Sequence, residues 1–130
     1  MALYKTFETM SGEQNNDASD YQIPSINNVD ERNQVINQNK IVVIDYYTDW
    51  CGPCKTCAPA VAKIAEKYSK PGFCMITKEN ADQATNTPSQ ITGVPCFHFY
   101  FNGQFIPDAT ITGAEMDKVE QNIQSFLSSV

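Results

Sequence analysis

The sequence predicts an α/β domain built on a central mixed sheet, mostly parallel, with an antiparallel hairpin near its C-terminal end. Three observations carry that prediction. Short apolar runs alternate with amphipathic helical stretches, and helical crossovers between strands imply parallel neighbours. The last strongly apolar run is followed by Asn102-Gly103, a hairpin signal. The closing stretch sets Met116, Val119, Ile123, Phe126 and Leu127 on one helical stripe. A length of 130 residues suits one compact domain with a sizeable core.

The elements follow in order. Residues 1–20 read as a polar, acidic, flexible extension, with one Lys against Glu8, Glu13, Asp17 and Asp20, a net of −3. Such a segment buries too little apolar surface to offset its ordering entropy. The domain proper is expected over 21–130. Tyr21 to Ile26 has weak strand character, and Pro24 demotes it to an edge. Asn28 can cap a short helix, with Asp30 and Glu31 in its first turn and Val29, Arg32, Val35 and Ile36 on a partial stripe. Ile41 to Ile44, running on into Asp45-Tyr46-Tyr47, reads as a strand buried on both faces.

A long helix comes next, with Cys54, Cys57, Val61, Ile64 and Tyr68 spaced 3, 4, 3 and 4. Pro59 should kink it, and Ser69-Lys70-Pro71-Gly72 stops it. Phe73 to Thr77 is the next strand. A short helix is expected within Asp82–Gln90, although Pro88 lies inside that polar segment. Cys96 to Phe101 is an aromatic strand, and Gln104 to Ile111 should return as its antiparallel partner. Thr112-Gly113-Ala114-Glu115 resembles a capping box for the last helix.

Composition excludes several function classes. A net charge of −6 argues against nucleic acid or an anionic membrane as the main partner. The longest aliphatic run, Ile41 to Ile44, is far short of a membrane span of ~20 residues. The first eight residues lack the apolar core of a secretory signal, so a cytoplasmic protein is expected. Five cysteines cannot all pair within one chain, which argues against a stapled disulfide scaffold.

Trp50-Cys51-Gly52-Pro53-Cys54-Lys55 lies where a buried strand hands over to a helix. The helix N-terminus offers unpaired N–H groups and positive partial charge, so a Cys51 thiolate there should be stabilised, with a pKa of about 7. Gly52 permits the tight entry, and Pro53 suits a first turn that needs no N–H. The spacing puts both sulfurs on one helical face within disulfide reach. Cys51 is then the exposed attacking thiol and Cys54 the partly buried resolving one. The competing readings are a chance pair or half a zinc site, which would need further ligands from His98, Cys57, Cys74 and Cys96.

From about residue 21 to 128 the chain resembles thioredoxin. The Trp50–Lys55 run matches that family's active-site motif residue for residue. Asp45, six residues before Cys51, stands where the family keeps a buried acid. Pro59 matches the proline of its second helix. Gly93-Val94-Pro95 matches the loop with a cis-proline, and Gly113 matches the glycine that lets substrate approach. The resemblance implies the thioredoxin fold, with helices on both sheet faces, and protein-disulfide reduction by dithiol exchange. Cys51 would attack, Cys54 would resolve, and the pair would cycle through a disulfide. Asp45 would act as general base for Cys54, its pKa raised by burial. Trp50 would cover the site as an apolar lid. Trp50, Gly52, Pro53, Gly93, Val94, Pro95 and Gly113 would bind substrate, with Val94 pairing to an extended chain.

The resemblance further implies no bound cofactor and no metal. Electrons would come from NADPH through a thioredoxin reductase, and the protein would serve electron transport and cell redox homeostasis as a monomer. The alternatives are a disulfide oxidase or isomerase, or a redox-sensing binding module on the same scaffold. Two departures stand out. Tyr47 replaces a common Trp, and the lysine that often partners the acid has only Lys78 as a candidate, expected beyond the end of its strand. Cys57 reads as core, against a third redox thiol pairing with Cys54 or a soft-metal ligand. Cys96 reads as a buried strand residue, against an off-pathway disulfide or an oxidative cap. Cys74 reads as structural, and His98 as a core histidine.

Overall fold

The computed structural model describes residues 20–130. The expected acidic extension, Asp20 apart, lies outside the described residues. The chain forms β1 (Ser25–Ile26), α1 (Val29–Gln38), β2 (Ile41–Tyr47), α2 (Gly52–Tyr68) and β3 (Cys74–Asn80). It continues with β4 (Cys96–Phe101), β5 (Gln104–Phe105), a 3-10 turn at Pro107–Ala109, β6 (Ile111–Thr112) and α3 (Met116–Leu127).

The sheet order is β1-β3-β2-β4-β5, with β6 also on β4. β1, β2 and β3 run parallel, while β4 is antiparallel to β2 and pairs antiparallel with β5 and β6. The sheet is mixed, as expected, but its antiparallel part includes the β2–β4 pair, so the hairpin's first strand already runs against the parallel strands. The reason lies in the β3–β4 connection, where the short helix expected within 82–90 does not form. Asn80 Oδ1 takes the Asp82 N–H at 2.9 Å, Asn86 sits at φ 55, and Pro88 has no N–H to give a helix.

Strand alternation sorts two cores. Ile41, Val43, Phe97 and Phe99 point to one face, where Cys57, Val61, Ile64 and Ala65 of α2 and Val119 and Ile123 of α3 cover them. Val42, Ile44, Tyr46, Cys96 and Tyr100 point to the other, against Ile36 of α1. Helices therefore flank both faces. α1 starts as expected, with Asn28 Oδ1 accepting from the Glu31 N–H at 2.9 Å. α2 continues through Pro59 as one helix.

Four expectations change here. The first strand shrinks to Ser25–Ile26. β3 extends three residues past Thr77, because both its edges are paired, and so it takes in Lys78 and Glu79. The returning strand splits into β5 and β6 around Pro107, which cannot donate to a ladder. The capping box is not formed. α3 begins at Met116 with Glu115 as a cap that makes no side-chain bond, and Thr112 Oγ1 instead donates to Cys96 Sγ at 3.9 Å. Gly113 at φ 111 separates Thr112 from the helix. No helix among the described residues is long and apolar enough to cross a membrane.

Candidate active site

Cys51 caps α2. Its sulfur accepts the Cys54 N–H at 3.1 Å, and the two cysteines form a disulfide with Cα atoms 5.3 Å apart. The one-turn spacing thus closes a bond at the positive end of the helix. Pro53 lies in the first turn, as its missing N–H allows. The expected exposure is corrected. Cys51 is 3% exposed and Cys54 8%, so in the disulfide form both are buried.

What separates the two cysteines is the space each lines. Cys51 lines an open groove of about 480 Å³ together with Trp50, Gly52, Pro53, Gly93 and Val94. The Val94–Pro95 bond is cis, as expected. Pro95 itself is buried behind the groove, and its carbonyl accepts from the Gly113 N–H at 2.8 Å. Gly113 therefore backs the groove wall rather than lining it. A Cβ on Gly93 would meet the Thr112 methyl at 3.4 Å, a tight contact.

Trp50, expected as an apolar lid, is 72% exposed and lines the groove beside Cys51, with its indole N–H donating to Asp82 Oδ2 at 3.0 Å. Asp82, Ile91, Thr92 and Thr48 also line this groove, and sequence reasoning had given none of them a role. The Asn80-x-Asp82 pattern after a strand was the available signal for Asp82, since it marks an Asx turn.

Cys54 faces a second cavity of about 250 Å³, lined by Asp45, Tyr47, Lys78, Lys55 and Val61 among others. Burial pushes the Asp45 carboxyl up to about 7, against a smaller downward pull from Lys78. Its Oδ1 has no hydrogen-bond partner. Lys78 lies directly across from Asp45 in the β2/β3 register, and its Nζ stands 5.7 Å from the Tyr47 ring centroid. The lysine expected beyond the strand is therefore inside it, beside the acid.

The remaining thiols are free and buried. Cys57 donates to the Cys54 carbonyl at 3.6 Å, and burial pushes its thiol up to about 11. Burial likewise raises Cys74 to about 11 and also raises Cys96. His98 is fully buried and its pKa falls to about 4, chiefly by burial. Among the described residues no group of three or more His, Cys, Asp or Glu is placed to hold a metal ion.

A Cys-x-x-Cys disulfide at a helix N-terminus, facing a cis-proline loop on such a sheet, defines a thiol–disulfide oxidoreductase. The thioredoxin family model matches residues 23–125. A thioredoxin of Coprinus comatus is 33% identical over 105 residues, covering 79% of this chain and 96% of that protein. A solved Plasmodium falciparum thioredoxin superposes with a TM-score of 0.70 at 28% identity, covering 79% of this chain and 98% of that one. A chain from a structure on thiol resolution in yeast mitochondrial 1-Cys peroxiredoxin via the glutathione/thioredoxin systems gives 0.69 at 30% identity, covering 79% and 94%. The chain belongs to the thioredoxin family, and it is a protein-disulfide reductase working by dithiol–disulfide exchange.

Proposed function

We propose that Cys51 is the nucleophile, Cys54 the resolving thiol and Asp45 the base that serves it. The supporting observation is that the two cysteines line different spaces: Cys51 the open groove, Cys54 the cavity holding Asp45. In the reduced protein the Cys51 thiolate attacks one sulfur of a substrate disulfide. That S–S bond breaks, a mixed disulfide forms, and the leaving substrate thiolate takes a proton. Asp45 then accepts the Cys54 proton, and Cys54 attacks Cys51. The second substrate thiolate leaves, and two electrons have passed to the substrate. The substrate chain lies extended along Trp50, Gly52, Pro53, Gly93 and Val94, with Pro95 and Gly113 supporting the loop from behind.

On the same reading residues 21–130 are the catalytic domain, and the protein is a cytoplasmic monomer. It takes its electrons from NADPH through a thioredoxin reductase and serves electron transport and redox homeostasis. A thiol-dependent peroxidase is one fitting substrate, given the yeast neighbour's subject. Cys54→Ser should trap substrates as mixed disulfides on Cys51, and Cys51→Ser should trap none. The Cys51–Cys54 potential should fall near the thioredoxin reference value of about −270 mV, which is carried over from the family. A value above about −200 mV would overturn the reductant reading in favour of an oxidase.

A further inference from the structure

One wall of the groove is not held by secondary structure. From Thr85 to Val94 the described residues make no backbone-to-backbone hydrogen bond. Yet Ile91 to Val94 line the groove. Ile91 packs on the apolar core of the sheet face that α1 covers, and two side chains of the domain body reach the segment by polar contacts. Arg32 Nη1 donates to the Asn86 carbonyl at 3.1 Å, and His98 Nε2 lies 3.4 Å from Ser89 Oγ. Asn86 holds φ 55, a left-handed turn conformation that asparagine adopts more readily than most side chains, and its carbonyl is thereby presented to Arg32.

Arg32 is an improbable core residue. It is 2% exposed on the inner stripe of α1 and forks onto Glu79 of β3, which is 4% exposed, through bonds of 2.9 and 2.7 Å. Apolar residues of similar volume would fill this space at equal or better stability, since desolvating two charges is costly. The pair also has a use beyond stability: the fork takes two of the five guanidinium N–H donors, and Nη1 supplies a third that meets Asn86. Lysine could not serve both partners, because it lacks the planar fork.

We propose that Arg32, oriented by Glu79, is a positioning residue for the substrate groove. Through Asn86 it holds the 85–94 segment, and with it Ile91 to Val94, at the spacing from Cys51 that an extended polypeptide needs. The inference rests on the reductase reading above and deepens it. Protein disulfides depend on this wall, whereas a small disulfide needs mainly the sulfur pair.

The test is the full chain carrying Arg32→Met with Glu79→Leu. Insulin and a small aromatic disulfide are the substrates, each mixed with protein reduced beforehand and freed of excess thiol, so that Cys51–Cys54 is the sole electron donor. The ratio of the two second-order rate constants for oxidation of the protein, insulin over the small disulfide, should fall at least fivefold. The emission of Trp50, the sole tryptophan, should shift, since its indole is bonded to Asp82 at the start of the same connection. A folded double variant whose ratio stays within twofold of wild type overturns the inference. Should that variant fail to fold, Arg32→Lys is read by the same ratio and the same limits. No insulin reduction by the wild type would overturn the reductase reading, and this inference with it. An active wild type with an unmoved ratio in the variant would overturn this inference alone.

Discussion

The Asp45 carboxyl keeps its proton up to about pH 7 because burial outweighs the pull of Lys78. In the unfolded chain it would lose that proton near pH 4. The folded state therefore binds the proton more tightly. Its advantage is complete below pH 4 and disappears as pH rises through 7. Above that point the buried carboxylate costs the fold on the order of 4 kcal/mol. Asp45→Asn should then gain about 2–4 kcal/mol at pH 8 and little at pH 4, read from urea unfolding at both pH values. The same variant should slow release of the mixed disulfide without slowing its formation, in stopped-flow mixing with a chromogenic disulfide. At this scale the sequence was most legible where chemistry is fixed by short spacing: Cys51, Cys54 and Asp45 are neighbours along one strand and one turn. Lys78 was misplaced because its position depends on where β3 ends, and β1 pairing on its far edge sets that. The Arg32–Glu79 pair was only half within reach: Arg32 falls on the partial stripe of α1, but its partner is 47 residues away and lies past the expected end of its strand.

Helix α3 was legible because an apolar stripe at 3.6-residue spacing has few alternatives. Its buried residues, Val119 and Ile123, seal the core over β4. Ile123 is fully buried, so Ile123→Ala should cost about 2–5 kcal/mol and lower Tm by roughly 10–20 °C. Exposed Gln121→Ala on the same helix should change stability by less than about 0.5 kcal/mol. Calorimetry of both variants checks the contrast. The 82–90 helix failed for the opposite reason. Without an apolar stripe it had nothing to bury, and local Asx bonding and Pro88 decided the backbone instead. Strand β4 shows a middle case. Its aromatic alternation was read correctly, but its direction was not, because direction depends on the connection before it.

Over the whole molecule, the three free thiols lie in α2, β3 and β4, each buried and each raised above its ordinary pKa. A thiol reagent can reach them only when these elements separate. In the reduced native protein Cys51 should alkylate within minutes. Cys57, Cys74 and Cys96 should react together, at a rate that rises with urea in step with global unfolding. Mass spectrometry of timed samples checks this, and early separate labelling of Cys57 would show that α2 opens by itself. The two cavities beside the disulfide have a different consequence. On the proposed mechanism the client occupies the groove, while Asp45 lines a separate cavity that also has exposed Asp49 and Lys55 in its wall. A bulky client parked in that doorway would leave the proton's back exit clear, so the second step should run with the same internal clock for large and small clients.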